Sequence, residues 1–504
     1  MKPALIYRKP WAVCVGSDRV STMLRSEYWE RFRTVQAAVG YQYIRCHGLL
    51  DDEMGVFRID EWEGRKRVFH NFSYLDQVFD TMLAHRVRPF VEWGFMPHAL
   101  ASGNDTVFWW KGNITPPSDW ALWAGLVSAV TRHWIERYGI EEVRTWPFEV
   151  WNEPNLTQFW KDADREAYFR LYETTVRAVK AIDAGIRVGG PAISGGSDHW
   201  IETFLAFVRD RELPLDFFSR HLYTGQTPSV RTPEVLYQSL SDPESPIEEL
   251  REVRRRVDAC GFGGLELHIT EFNTSYHPLC PVHDTPLNAA YLARLLSEAG
   301  DLVASLSYWT FSDLFEESDV PRSFFHGGFG LLARSGVPKP TFHLFDFFSR
   351  LGTIVLERRP NLLATVRDDG AVVVAAWNPV QENSVLPPAA VSLSVPWAEG
   401  KALARRRRVH EGAGNPWGVW AELGRPRFPD AATVEFLRLA AQPAVETAVV
   451  EPGDGLTIQF SLQRNEITLI ELTVLRDESS TYLGLDDARI DGYPHETKRQ
   501  GGLS

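Results

Sequence analysis

Two glutamates in this chain occupy positions suited to breaking a glycosidic bond. Glu153, in Phe148-Glu149-Val150-Trp151-Asn152-Glu153-Pro154-Asn155, and Glu271, in His268-Ile269-Thr270-Glu271-Phe272-Asn273, each follow a short apolar run of β-strand character. Cleavage with retention of configuration needs one carboxylic acid to protonate the leaving oxygen and one carboxylate to attack the anomeric carbon. Pro154 has no N–H with which to extend a ladder, so the strand is expected to end at Glu153 with that side chain at its tip. Glu153 is therefore the acid/base candidate with a raised pKa, and Glu271 the carboxylate that stays charged. Asn152 suits a hydrogen bond to a sugar 2-hydroxyl, Tyr223 suits donation to Glu271, and His221 suits contact with sugar hydroxyls. A lone Glu after a strand is ordinarily a surface or ion-pair residue. Two of them at equivalent strand ends, one inside Trp-Asn-Glu-Pro-Asn, tip the balance toward catalysis. Glu149 and Glu266 fall within the strands and read as buried pair partners or outward residues.

Something must bring the pair together from distant parts of the chain. Between residues 11 and 351 short apolar runs alternate with segments of helical period, as in βα units around a parallel sheet. The expected strands are 11–15, 41–46, 89–93, 148–151, 186–189, 217–221, 265–270 and 306–310. Ser73 precedes Leu75, Val78, Phe79, Met82 and Leu83 at helical spacing, and Asp198 opens a second such run with Trp200, Phe204 and Phe207. Eight repeats predict an α/β fold, a (β/α)8 TIM barrel, whose C-terminal strand ends share one face. A doubly wound open sheet fits less well, because no G-x-G-x-x-G follows the first strand. The polar residues after the strands then form one inventory: Arg45 and His47, Glu92 and Trp93, Asn152 and Glu153, His221 and Tyr223, Glu271, and Trp309 with Asp313, Glu316 and Glu317.

From 352 to 478 β-patterned runs lack long helices between them, predicting an accessory antiparallel β-sandwich, to which residues 1–10 could add an edge strand. Residues 412–429 read as a long loop within it, and Arg405 to Arg408 as a solvated face. Residues 479–504 read as a loosely held polar tail.

Composition narrows the partners. The 504 residues are 44% hydrophobic, enough for a large core, and carry a net charge of −13, which disfavours nucleic acid and anionic membranes. A neutral ligand is the expectation, and the 18 tryptophans suit core packing first and sugar stacking second. Cys14, Cys46, Cys260 and Cys280 show no metal or disulfide spacing. The histidines His47, His70, His221, His268, His283 and His326 lack H-E-x-x-H or i, i+4 pairing, and no G-x-S-x-G elbow occurs. No metal and no cofactor are expected. Neither a signal peptide nor a membrane span is apparent, so a cytoplasmic protein is expected.

The motifs together resemble the β-xylosidases of glycoside hydrolase family 39. The likeness lies in Trp146 to Leu156, Val188-Gly189-Gly190-Pro191-Ala192, Ser219-Arg220-His221-Leu222-Tyr223-Thr224, His268 to Tyr276, Ser307-Tyr308-Trp309-Thr310-Phe311-Ser312-Asp313 and Gly414-Asn415-Pro416-Trp417-Gly418. It spans about residues 10 to 475. The resemblance implies a retaining exo-β-D-xylosidase acting on xylooligosaccharides, with Glu153 as acid/base and Glu271 as nucleophile. It further implies that His47, Asn152, His221, Tyr223, Trp309 and one of Glu316 and Glu317, the latter preferred, line the terminal-xylose subsite. A homo-oligomer is also compatible with it. Two alternatives stay open: another sugar, such as an α-L-iduronide, an α-L-arabinoside or a longer glycan, and a non-catalytic carbohydrate-binding barrel.

Overall fold

Strands β1 (Cys14–Arg19), β2 (Tyr43–His47), β3 (Arg88–Trp93), β4 (Pro147–Val150), β5 (Arg187–Ile193), β6 (Phe217–Tyr223), β7 (Glu266–Asn273) and β8 (Ser305–Tyr308) are parallel and close into a barrel in chain order, β8 pairing with β1. In this computed structural model the described residues are 5–381, 386–397, 400–453 and 455–476, with 479, 484, 486 and 489–492. The strands are buried on both faces, as parallel strands covered by helices must be. Helices α1 (Ser26–Val39), α2 (Ser73–Ala84), α3 (Trp120–Tyr138), α4 (Arg165–Ile182), α5 (His199–Asp210), α6 (Ser245–Val257), α7 (Pro286–Glu298) and α8 (Pro340–Ser349) alternate with them. Asp119 caps α3 by accepting from the Ala121 and Leu122 amides, and Asp164 caps α4 through the Ala167 amide. On α4 the apolar set Phe169, Leu171, Tyr172, Val176 and Val179 faces inward at helical spacing.

The barrel interior is layered by polarity. Cys14, Phe90 and Phe217 cluster inside it. Arg45, Glu92 and Glu149 are also buried within the barrel, as an ion cluster. Charges in such a place must be paired, and each of these is.

Beyond the barrel, strands β9 (Ile354–Arg359), β10 (Leu362–Val366), β11 (Val372–Asn378), β12 (Ala389–Val395), β13 (Ala402–Val409), β14 (Ala444–Val450), β15 (Leu456–Leu462) and β16 (Glu466–Val474) form two antiparallel sheets. The larger has the order β9-β10-β11-β16-β13-β14, and β12 pairs with β15. Period-two alternation divides β11 between two cores. Val372, Val374 and Ala376 face the β12–β15 pair, whereas Val373, Ala375 and Trp377 join the barrel core. Residues 5–7 add to the outer edge of β9, the Tyr7 amide donating to Thr353 O at 2.7 Å and the Val355 amide to Leu5 O at 2.9 Å.

Three expectations change. The run Arg405–Arg408 is not a solvated face: it lies in β13, so alternate residues point inward. Arg406 and Arg408 bind Glu466 and Glu446 in a buried network, leaving Arg405 and Arg407 outward. Residues 412–429 are not all loop, since α9 (Pro416–Glu422), capped by Asn415, occupies part of them, followed by α10 (Ala431–Ala440). Trp420 and Leu437 from these helices pack on Phe324, Phe325 and Val337 of the segment after β8. Strand β1 starts three residues late because Pro10–Ala12 forms a 3-10 turn instead. Most of the expected tail, 479–504, lies outside the described residues.

Candidate active site

Strand β4 ends at Val150, earlier than Pro154 alone would dictate. Trp151 (φ 70°) and Glu153 (φ 43°) both adopt left-handed backbone, uncommon for residues with bulk and costing about 1–3 kcal/mol each. The surroundings fix the turn: the Glu153 amide donates to Ala192 O at 3.0 Å and Trp151 Nε1 to Phe159 O at 2.9 Å. Asn155 reaches Ser194 and Ser197 after β5. The turn throws the Glu153 carboxyl over the strand ends toward β6.

There it meets His221. His221 Nδ1 lies 2.9 Å from Glu153 Oε1 and 3.5 Å from Glu271 Oε2, so carboxyls from β4 and β7 reach one imidazole nitrogen. That closeness suits the ~5–5.5 Å carboxyl separation of a retaining pair rather than the ~6.5–9.5 Å of an inverting one.

Glu271 is held at both oxygens. Arg45 Nη1 donates to Oε1 at 2.8 Å and the Tyr223 hydroxyl to Oε2 at 2.7 Å. Arg45 is itself fixed by Glu149 at 2.6 Å, Glu92 at 2.9 Å and Asn152 Oδ1 at 3.0 Å, with Thr270 donating to the other Glu149 oxygen. Glu149 is thus a buried pair partner. On the other side His47 Nδ1 contacts Glu92 at 2.8 Å, while its Nε2 lies 3.6 Å from Glu271 and 3.5 Å from Glu317. Trp309 lies beside His47 with ring centroids 4.8 Å apart, its carbonyl bound by Asn273. A Cβ at Gly16 would collide with the Trp309 ring, so only glycine lets β1 pass beneath it.

These environments separate the two glutamates. Burial, reinforced by the charge of Glu271, pushes the Glu153 pKa well above the usual carboxylate range. Burial also pushes Glu271 up, but Arg45, His47 and the Tyr223 hydrogen bond pull it back. Both are raised, and of the two Glu153 holds a proton the more firmly, whereas Arg45, His47 and Tyr223 favour the charge on Glu271. Burial, with Arg45, His47 and Arg220 nearby, holds His221 well below its usual value, so a neutral imidazole meets Glu153 and does not draw off its proton. Burial and four surrounding carboxylates likewise raise Glu317.

The Glu316–Glu317 pair splits. Glu317 faces His47, whereas Glu316 turns away to Arg25 at 2.6 Å and Arg19 at 3.0 Å. The sequence candidate Glu316 is thus outside the pocket, and Asp313 is engaged by Lys339 at 2.7 Å. His47, Asn152, His221, Tyr223, Trp309 and Glu317 surround the two glutamates. Sequence reasoning missed Phe108, which stacks on His47 at 5.7 Å; the run Phe108-Trp109-Trp110 in the loop after β3 was the available signal. No group of three or more potential metal ligands occurs among the described residues. Nor is any helix among them long and apolar enough to cross a membrane.

The family model for glycosyl hydrolases family 39 matches residues 2–457. A beta-xylosidase of Geobacillus stearothermophilus is 51% identical over 97% of both chains, and one of Caldicellulosiruptor saccharolyticus is 34% identical over 92% of this chain and 95% of the other. The crystal structure of a monomeric beta-xylosidase from Caulobacter crescentus CB15 superposes with a TM-score of 0.84 at 32% identity, covering 94% of this chain and 98% of that one. With a matching family model across most of its length and strand-end glutamates meeting at one histidine, this chain belongs to glycosyl hydrolases family 39.

Proposed function

We propose that the protein is a retaining exo-β-D-xylosidase that releases xylose from the non-reducing ends of short β-1,4-xylooligosaccharides. The observation that carries the reading is the shared approach of Glu153 and Glu271 to His221 Nδ1. Glu153 protonates the glycosidic oxygen as Glu271 attacks the anomeric carbon, giving a covalent glycosyl ester. Glu153, now a carboxylate, takes a proton from water as the water attacks that carbon and returns Glu271 to its ionised form. His47, Asn152, His221, Tyr223, Trp309 and Glu317 hold the terminal sugar.

The pocket's charge bears on the choice of sugar. Glu92, Glu149 and Glu271 bind Arg45 together with Asn152, and Glu153 and Glu317 lie close to Glu271. A uronate would bring one more carboxylate into that field, so a neutral pentose is favoured over an iduronide. A non-catalytic barrel would have no use for a proton held on one glutamate and a charge on the other. The cysteines are unpaired, three of them buried, which supports the cytoplasm as the site of action.

Following hydrolysis of 4-nitrophenyl β-D-xyloside by NMR tests the reading: β-xylose should appear first. In Glu271→Ala turnover should vanish, and azide should restore it as the inverted xylosyl azide. First appearance of α-xylose, or near-native turnover in Glu271→Ala, would overturn it.

A further inference from the structure

We propose that Trp109 is the platform of a leaving-group subsite, on which the second sugar of the chain stacks while the terminal sugar occupies the pocket; this rests on the function proposed above. The loop between β3 and α3 folds back on itself, Thr106–Val107 pairing with Gly112–Asn113 and presenting residues 108–111 as its tip. Phe108 (φ 64°) and Lys111 (φ 61°) are both left-handed, a backbone that residues with bulk adopt only where the surroundings enforce it. Such strain is a pointer to a functional loop.

The strained tip turns Phe108 and Trp110 inward, their rings stacked 5.1 Å apart, and leaves Trp109 on the outside. Phe108 stacks on His47, inside the ring of residues around Glu271. Trp110 is buried, its ring 5.6 Å from Phe95 and 5.8 Å from the Arg19 guanidinium. Trp109 between them is 49% exposed and has no ring contact among the described residues. Its backbone is not free, because the Trp109 amide donates to Glu317 O at 2.6 Å. The carboxyl of that same glutamate lies 3.5 Å from His47. The Trp109 backbone is thus held one residue from the pocket wall at two points, through Phe108 and through Glu317, with the indole left exposed.

An exposed tryptophan alone would mean little. Here it directly follows Phe108, which stacks on His47, and its amide is tied to Glu317, so its exposed ring belongs to a segment that borders the site the leaving group must quit. A β-linked xylose carries no hydroxymethyl group at C5 and offers flat C–H faces, the surface an indole matches.

The test compares xylobiose with β-D-xylosyl fluoride, which delivers the same terminal sugar but leaves as an ion with no face to stack. Trp109→Ala should lower the ratio of kcat/KM for xylobiose to that for the fluoride by about tenfold, and Trp109→Phe should restore most of it. Trp109→Gln, which keeps bulk without a ring, should behave as Trp109→Ala does and guards against misfolding of the smaller variant. An unchanged ratio in both ring-less variants overturns the subsite. If the unsubstituted enzyme cleaves neither compound, the proposed function fails instead.

Discussion

Arg45 and Glu271 lie 2.8 Å apart, and the arginine side chain has no solvent exposure. Its guanidinium also binds Glu149 and Glu92, so one buried cation compensates three carboxylates. Removing it strands charges that cannot reach water. Arg45→Met should therefore lose at least ~3 kcal/mol in chemical denaturation, together with most of kcat. Arg45→Lys should recover part of the stability but little of kcat, because an ammonium cannot reproduce the planar fork.

The second prediction concerns the proton on Glu153. Burial raises its pKa first and the charge of Glu271 adds to it. Glu271→Gln removes the charge but not the burial, so the Glu153 pKa should fall while staying above the ordinary ~4.3 for glutamate. A carboxyl carbon NMR titration of both proteins reads this directly. Activity should decline as pH rises through the Glu153 pKa, since catalysis needs that proton. In Glu153→Ala, assayed with an activated leaving group, that alkaline decline should disappear.

Much of this site was legible because a parallel barrel converts strand order into spatial order. Once eight βα units were read, Glu153, His221, Tyr223 and Glu271 had to meet at the strand ends, and they do. Around the site the reading fell short where the chain leaves the strands. At β4 the missing N–H of Pro154 placed the end at Glu153, but Trp151 already turns left-handed, a choice supported by its hydrogen bond to Phe159 rather than by local propensity. At Glu316 and Glu317 neighbouring carboxylates look alike, and what separates them is Arg25 and Arg19, more than 290 residues away. Phe108 escaped because its orientation depends on a strained turn that composition does not signal.

That pair supplies the third prediction, two adjacent residues with opposite pH signatures. Burial, with Asp18, Glu271, Glu153 and Glu92 near it, raises Glu317 in the folded state. The native protein then binds a proton there that the unfolded chain has lost, so stability falls as pH rises from ~4.3 toward the folded pKa. Glu317→Gln lacks this loss and should gain in relative melting temperature over the same interval, at the expense of a raised KM. For Glu316, burial pushes upward but Arg25 and Arg19 outweigh it and hold the pKa low. Its contribution is present above ~4.3 and fades as pH falls through the folded value. Glu316→Gln should be destabilised by ~1–3 kcal/mol at neutral pH, converging on the parent in acid. Calorimetry of both variants from acid to neutral pH checks the two signs together.

The last prediction tests what holds the segment after β8 in place. Lys339, fully buried, bridges Asp284 at 2.6 Å and Asp313 at 2.7 Å. Those carboxylates in turn accept the Gly327 and Gly330 amides, each at 2.7 Å, so the lysine pins the chain that returns from Trp309 and Glu317 to α8. Neither aspartate could shed its charge to water if the cation were removed. Lys339→Met should cost ~3–5 kcal/mol by denaturation, whereas the triple replacement of Lys339, Asp284 and Asp313 by Met, Asn and Asn should recover part of it. In Lys339→Met hydrogen exchange at the Gly327 and Gly330 amides should accelerate beyond the change seen in β1–β4, because the local restraint is lost in addition to global stability. Equal acceleration everywhere would show that the triad stabilises the barrel as a whole and does not specifically hold this segment.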